Sequence, residues 1–259
     1  MFSGGEAYER FMGRWSRALA PLLVEFAGIR DGDAVLDVGS GTGSLAAAVA
    51  DLAPSSPVVG VDPAASYVAF AQSRHLSGRI RFETGDAQSL NFQAGAFDCA
   101  LSSLILNFIP DPAKALDEMK RVTRGGGVVA AAVWDYGEGM EMLRAFWDEA
   151  VAADPAADAK DERHMAFSRR GELAALWRAH GFRDVRDEAL TIEMRFASFD
   201  EYWSPFLEQQ GPAGAYVAAL QDGERDRLRQ RLRRRLLGDG PDRPVVCGAR
   251  AWAVRGLVP

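Results

Sequence analysis

The segment Val35-Leu36-Asp37-Val38-Gly39-Ser40-Gly41-Thr42-Gly43 constrains this chain more than any other. It reads as a buried strand with an acid near its end, then three glycines in a tight turn that opens onto a helix. Glycine lets a ligand approach the backbone where a Cβ would clash, and the helix N-terminus adds partial positive charge. The combination predicts a nucleotide-type ligand at the edge of an α/β sheet. Its details tell against an NAD enzyme. The fingerprint G-x-G-x-x-G needs glycine at 44, where this chain has Ser44. An acid as close as Asp37 would repel a pyrophosphate and suits a ligand that carries an ammonium group.

Further strands follow, and each ends in a polar side chain. Val58-Val59-Gly60-Val61-Asp62 is a short apolar run closed by an acid 19 positions after Gly43, the spacing at which a second strand's carboxylate meets ribose hydroxyls. Ile80 to Ala87 contains Asp86, able to accept from an adenine amino group, and Phe97 to Ser103 reads as a fourth strand. A helix from Asp111 to Val122 has Asp111 as N-cap and Pro112 at its first position; Gly125-Gly126-Gly127 breaks it, and Val128 to Trp134 is a fifth strand. This alternation from Asp33 to Trp134 predicts a doubly wound, mostly parallel sheet with its ligand at the C-terminal strand ends. Asp37, Asp62, Asp86 and Ser102 all fall at such ends. An ammonium, a ribose and an adenine together describe S-adenosylmethionine.

The ordered motifs VLDVGSGTG, VVGVDP, GDAQSL, FDCALSSLILNF and LDEMKRVTRGGG resemble the class I S-adenosylmethionine-dependent methyltransferases over roughly residues 8–134. Within that family the chain is most similar to the small-molecule branch that includes the ubiquinone and menaquinone C-methyltransferases. The resemblance implies a Rossmann-like seven-stranded sheet whose last strand runs antiparallel. It implies S-adenosyl-L-methionine as donor and S-adenosyl-L-homocysteine as product. At matched positions, Gly39, Ser40, Gly41 and Gly43 would form the turn around the methionine portion, and Asp37 would orient its ammonium. Asp62 would take both ribose hydroxyls, and Pro63 would pack on the adenine face. Asp86 and the Ala87 N–H would hold the adenine edge, and Ser102 would lie beside the methionine. A short N-terminal helix often covers the cofactor in this family, which makes Tyr8, Arg14 and Trp15 candidates for closing the pocket.

Composition fits a single cytoplasmic enzyme domain over 1–259. Hydrophobic residues make up 48% and charged residues 25%, enough for a core and a solvated surface. Two cysteines, Cys99 and Cys247, give neither a disulfide framework nor a metal pattern. A net charge of −6 disfavours general affinity for nucleic-acid phosphates. No apolar run approaches the roughly 20 residues that span a bilayer, and the run Met1-Phe2-Ser3-Gly4-Gly5-Glu6 lacks the layout of a signal peptide.

The chain divides into a cofactor-binding core over 6–134, helical cap insertions over 135–168 and 196–244, and a terminal strand pair over 182–195 and 247–255. In the core's first segment Pro21 separates two helices, and Ser168 caps a helix that stops at Gly181. Acceptor recognition is assigned to the insertions, with Trp134, Tyr136, Phe146, Tyr202, Trp203 and Phe206 lining an aromatic pocket. Transfer of an activated methyl group needs alignment first and a base only for some acceptors. The candidate catalytic side chains are His164, Asn107 and Tyr136. Asn107 stands where many quinone-pathway relatives carry histidine, and it is a poor base, so the acceptor and its nucleophilic atom stay open. Residues 224–237 hold seven arginines with Leu228, Leu232 and Leu236 on one face. The alternatives are therefore an RNA or protein methyltransferase that uses this helix, and a non-catalytic cofactor-binding module. Monomer and homodimer are both open.

Overall fold

The computed structural model describes residues 5–75 and 78–259; the first four residues of the N-terminal run read above lie outside them. Every residue of β1 (Val35–Val38) is buried. Side chains of a strand alternate between faces, so helices must cover both sides of this sheet. β2 (Val58–Asp62), β3 (Ile80–Thr84), β4 (Phe97–Ser103) and β5 (Thr123–Trp134) join β1 in parallel. β6 (Arg183–Phe196) forms one edge, and β7 (Val245–Leu257) slots antiparallel between β5 and β6. The order is β3-β2-β1-β4-β5-β7-β6. Strand order reverses between β1 and β4, and that switch point opens a crevice at the C-terminal strand ends.

The glycine run 125–127 does not break a helix from a strand as expected. α5 (Pro112–Val122) ends on its own, and β5 already pairs at Thr123 with Phe97. The glycines form a bulge before pairing resumes at Cys99 with Val128, because a Cβ at Gly127 would lie 2.5 Å from the Asp98 carbonyl. Asp111 does cap α5, accepting from the Lys114 amide at 2.9 Å.

The N-terminal segment comprises α1 (Gly5–Tyr8), a π-helical turn over Glu9–Gly13, and α2 (Arg14–Ala27). Pro21 lies inside α2 rather than between helices. Burial of Leu19, Leu23, Val24 and Ala27 holds the helix together across the missing amide. α3 (Ser44–Leu52) and α4 (Ala65–Arg74) follow β1 and β2. The cap contains α6 (Glu141–Ala153), α8 (Phe199–Trp203), α9 (Gly211–Ala219) and α10 (Asp222–Leu237), whereas α7 (Glu172–Ala179) packs on the sheet, its Trp177 indole donating to the Val129 carbonyl at 3.0 Å. Ser168 does not cap α7. Its hydroxyl donates to the Met165 carbonyl at 2.7 Å, and Gly171 in a left-handed conformation is the N-cap. Among the described residues no helix is long and apolar enough to cross a membrane.

Candidate functional site

A cavity of about 450 Å³ occupies the crevice at the switch point. Its walls come from the segments that leave β1 to β5: Asp37 and the glycine turn, Asp62 and Pro63, Asp86 and Ala87, Ser103 to Ile105, and Trp134 with Tyr136. The N-terminal segment closes it through Tyr8, Met12 and Ser16, which are four residues apart and so share one helical face. The Tyr8 and Ser16 hydroxyls lie 2.8 Å apart. Glu9, on the π-helical turn, accepts from the Thr42 hydroxyl at 2.6 Å and so ties this segment to the glycine turn. Burial raises the Glu9 carboxyl, but hydrogen bonds from Thr42 and Arg17 outweigh it and hold the group below its ordinary range.

The carboxylates differ in environment. Asp62 is 7% exposed, with one oxygen accepting the Gly41 amide and the other the Ala64 amide, both at 2.9 Å. Burial raises its pKa in spite of these bonds. Asp37 is deeper. One oxygen takes the Ala46 amide at 3.0 Å, and burial, aided by the charge of Asp62, pushes the carboxyl up to about 7. Asp86 is exposed at the far end, and the backbone and side-chain amides of Gln88 hold it below the usual carboxylate range.

Polar atoms without partners gather here. Asp37 Oδ1, Ser40 Oγ, the Tyr67 hydroxyl and Ser103 Oγ are buried without a hydrogen bond among the described residues, and all four residues line this cavity. A buried unsatisfied polar atom costs about 1–3 kcal/mol, so their convergence marks a place for a polar ligand. The glycine turn fits the same ligand. At Gly41, φ is +52°, and a Cβ would meet no protein atom within 4 Å. The Gly39 and Ser40 amides are already taken by the Val61 carbonyl, at 2.8 and 3.0 Å. The turn therefore offers bare Cα surface and carbonyl oxygen, and carbonyls match an ammonium donor.

Comparison with known proteins identifies this architecture. The Methyltransferase domain family matches residues 36–131. Rv1403c of Mycobacterium tuberculosis, an uncharacterized protein, is 31% identical over 205 residues, covering 75% of this chain and 70% of that protein. The chain belongs to the class I S-adenosylmethionine-dependent methyltransferases. S-adenosyl-L-methionine is the donor of that class, and S-adenosyl-L-homocysteine is the product. The ubiquinone/menaquinone biosynthesis C-methyltransferase UbiE of a Geobacter species is 35% identical over 122 residues, 45% of this methyltransferase and 50% of UbiE. Phosphoethanolamine N-methyltransferase 2 of Haemonchus contortus, solved with S-adenosyl-L-methionine, superposes with a TM-score of 0.60 at 18% identity, covering 98% of this chain and 56% of that one.

Not every residue singled out in the sequence reaches the cavity of the methyltransferase. Arg14 and Trp15 lie on the other face of α2. The Arg14 guanidinium stacks 4.1 Å from the Trp15 ring and pairs with Glu201, while Trp15 packs edge-on against Phe196. Gly43 is the left-handed N-cap of α3, where a Cβ would strike Phe82 and His75. Ser102 is wholly buried in β4, and the next three residues line the cavity in its place. Among them Leu104 holds φ at +65°, a strained conformation for a side-chain-bearing residue and one characteristic of ligand sites. The helical 8-12-16 spacing was the signal available for Met12 and Ser16. None announces Leu104 or Ile105.

The aromatic candidates also divide. Trp134 and Tyr136 line the cavity. Phe146, Tyr202, Trp203 and Phe206 do not; they form the cap's own core. Phe206 stacks on Phe146 at 4.5 Å, Trp203 lies 5.9 Å from Phe206, and the Tyr202 hydroxyl donates to the Met142 carbonyl at 2.8 Å. Phe206 also packs edge-on against Phe11 at 6.3 Å and Tyr202 against Phe196 at 5.4 Å, so these aromatics are held inward by apolar neighbours on several elements. Phe206→Ala is therefore expected to cost about 3–5 kcal/mol of stability in urea unfolding, with S-adenosylmethionine affinity unchanged below the transition.

His164 lies outside the cavity, exposed and 3.2 Å from Asp158. Asn107 sits behind the wall, its amide donating to the Met165 sulfur at 3.3 Å. Tyr136 alone of the three catalytic candidates faces the cavity, and burial holds its hydroxyl far above the ordinary pKa of a phenol, with the nearby Asn107 amide pulling slightly the other way.

The arginines of α10 are largely engaged within the fold. Arg229 pairs with Asp200, Arg231 with Glu149, and Arg235 with Asp148, all within 2.9 Å. Leu228 and Leu232 are buried beneath them.

Proposed function

We propose that this methyltransferase transfers the methyl group to a small, uncharged and largely apolar acceptor. The observation that carries this reading is the make-up of the cavity: Asp37, Asp62 and Asp86 run along one side, and among the described residues no lysine, arginine or histidine lines it. A phosphorylated or carboxylated acceptor would need a cation there. When bound, the donor supplies a methyl carbon already activated by positively charged sulfur.

The protein's own residues do the rest. Asp62, held by two backbone amides, accepts the ribose hydroxyls. Asp37 receives the ammonium, directly or through water, on its free oxygen, with the Gly39–Gly41 turn around the methionine chain. Pro63 covers the adenine, and Asp86 with the Ala87 amide takes its edge. Tyr8, Met12 and Ser16 close over the centre and exclude water, which keeps the displacement in line. Trp134 and Tyr136 orient the acceptor. A phenol as weakly acidic as Tyr136 donates a hydrogen bond and does not act as a base. We read residues 1–259 as one domain, with the core and cap boundaries given above, working in the cytoplasm.

A panel of candidate acceptors incubated with isotopically labelled donor tests this, with product masses as the readout. Methylation of neutral aromatic or aliphatic hydroxy compounds is the expected result. Methylated RNA or protein, with no small-molecule product, would sink the reading.

The proton on Asp37 adds a pH dependence. In the unfolded chain its carboxyl ionises near 3.8, in the fold at about 7. Between those values the folded state binds the extra proton, so this group's contribution to stability falls as pH rises. Binding the ammonium requires the ionised form, so cofactor affinity moves the other way. Between pH 8 and pH 6 it should fall roughly tenfold, and calorimetry on Asp37→Asn should show a weak affinity with a flat profile.

A further inference from the structure

A second cleft, about 380 Å³, lies across the wall from the cofactor cavity. The turn that leaves β5 is that wall. Trp134 and Tyr136 face the first cavity, while Asp135, Gly137 and Glu138 face the second. The far side is the strap 163–170, and β7 contributes Arg250 and Trp252.

Among the described residues lining this cleft arginines outnumber carboxylates, although carboxylates inside and behind it pair all of them but Arg169. Its lining residues include Arg163, Arg169, Arg170 and Arg250, His164, which lies 3.2 Å from Asp158, and two acids, Asp135 and Glu138. Asp135 is fully engaged: one oxygen takes the Nε and Nη2 of Arg250, at 2.8 and 2.6 Å, and the other takes the Glu138 amide at 2.9 Å. Glu138 points to solvent, 88% exposed and 3.7 Å from Arg250. Arg163 is anchored from behind by Asp161 and Asp148, which also serve Arg144 and Arg235. Arg169 makes no ion pair among the described residues, and the 76%-exposed Arg170 has only Asp187 at 3.8 Å. On α10, by contrast, three arginines meet carboxylates within 2.9 Å.

Arg250 is also held in place. Its guanidinium lies 4.8 Å from the Trp252 ring, and its backbone bonds both Gly139 and Asp135. The Nε and Nη2 edge of this guanidinium is taken by Asp135, so its remaining N–H groups, held in a fixed position, are what it can present to phosphoryl or carboxylate oxygens with little loss of freedom.

We propose that this cleft is a second binding site, separate from methyl transfer, for a small multivalent anion carrying phosphoryl or carboxylate groups. Fixed Arg250 and Arg163 form its floor. Arg169 and Arg170, from the strap, close on the same ligand, which thereby ties the strap to the turn that carries Tyr136.

Calorimetry on the full chain at low ionic strength, with pyrophosphate and with citrate as probes, tests this. One saturable site is expected, weakening steeply with salt. Tighter pyrophosphate binding assigns phosphoryl groups, tighter citrate binding assigns carboxylates. The surface variant Arg169→Gln/Arg170→Gln should lose about tenfold or more in probe affinity and keep the wild-type affinity for S-adenosylmethionine. The latter is read separately, so failure here leaves the methyl-transfer reading standing. Arg227→Gln/Arg234→Gln, on the exposed face of α10, should change nothing. No saturable binding of either probe overturns the proposal. Equal binding by the strap variant does the same, as does equal weakening by the α10 variant.

Discussion

Asp62→Ala is expected to weaken S-adenosylmethionine binding at least about 100-fold. Two ribose hydroxyls donating to one carboxylate make two charge-assisted hydrogen bonds, each contributing about 1.5–3 kcal/mol. Their loss corresponds to a hundredfold or more in Kd. The wild-type carboxylate is already aligned by the Gly41 and Ala64 amides, so little ordering is needed on binding. Asp62→Asn keeps one acceptor oxygen and should fall between the two. Calorimetry gives the affinities, and circular dichroism checks that the sheet survives the loss of the two amide contacts. A folded Asp62→Ala protein with wild-type affinity would remove the ribose role.

The glycine turn gives the second large effect, because neighbouring glycines are required for different reasons. At Gly41 a side chain meets no protein atom within 4 Å. Gly41→Leu should cost only the left-handed conformation, roughly 1–2 kcal/mol, while its side chain fills the space assigned to the cofactor. Binding should be lost by about two orders of magnitude or more, at the scale expected for Asp62→Ala. At Gly39, where φ is +75°, a Cβ would lie 2.5 Å from Ile105 Cγ1. Gly39→Ala pays both for the conformation and for displacing Ile105, about 2–5 kcal/mol together. Thermal unfolding and cofactor titration separate the two. Gly41→Leu should keep most of its stability and lose binding, and Gly39→Ala should lose stability first. A Gly41→Leu protein that binds normally would show that the cofactor does not lie against the turn.

Much of the cofactor side was legible in the chain. Strand ends are local features, and an acid closing an apolar run stays at the sheet edge whatever the rest of the fold does. Asp37, Asp62, Asp86 and the glycine turn therefore meet in one cavity, as their spacing suggested. The helical face was harder. Tyr8 reaches the cavity, whereas Arg14 and Trp15 both pack on the Phe196 ring of β6. Pro21 misled for a related reason: packing of one buried face outweighs the loss of a single hydrogen bond.

What the sequence determined by itself was the order of elements, the location of the ligand edge and the carboxylates along it, because each follows from short-range periodicity and turn chemistry. What only the tertiary structure decided was the fate of the aromatic and basic residues in the cap. A phenylalanine in an amphipathic segment lines a pocket or fills a core according to which surface another segment leaves uncovered. In the same way, an arginine is neutralised or left facing a cleft according to where distant carboxylates fall. Phe206 and Arg169 look alike in kind to Trp134 and Arg229 until the chain is folded, and long-range packing assigns them opposite surroundings.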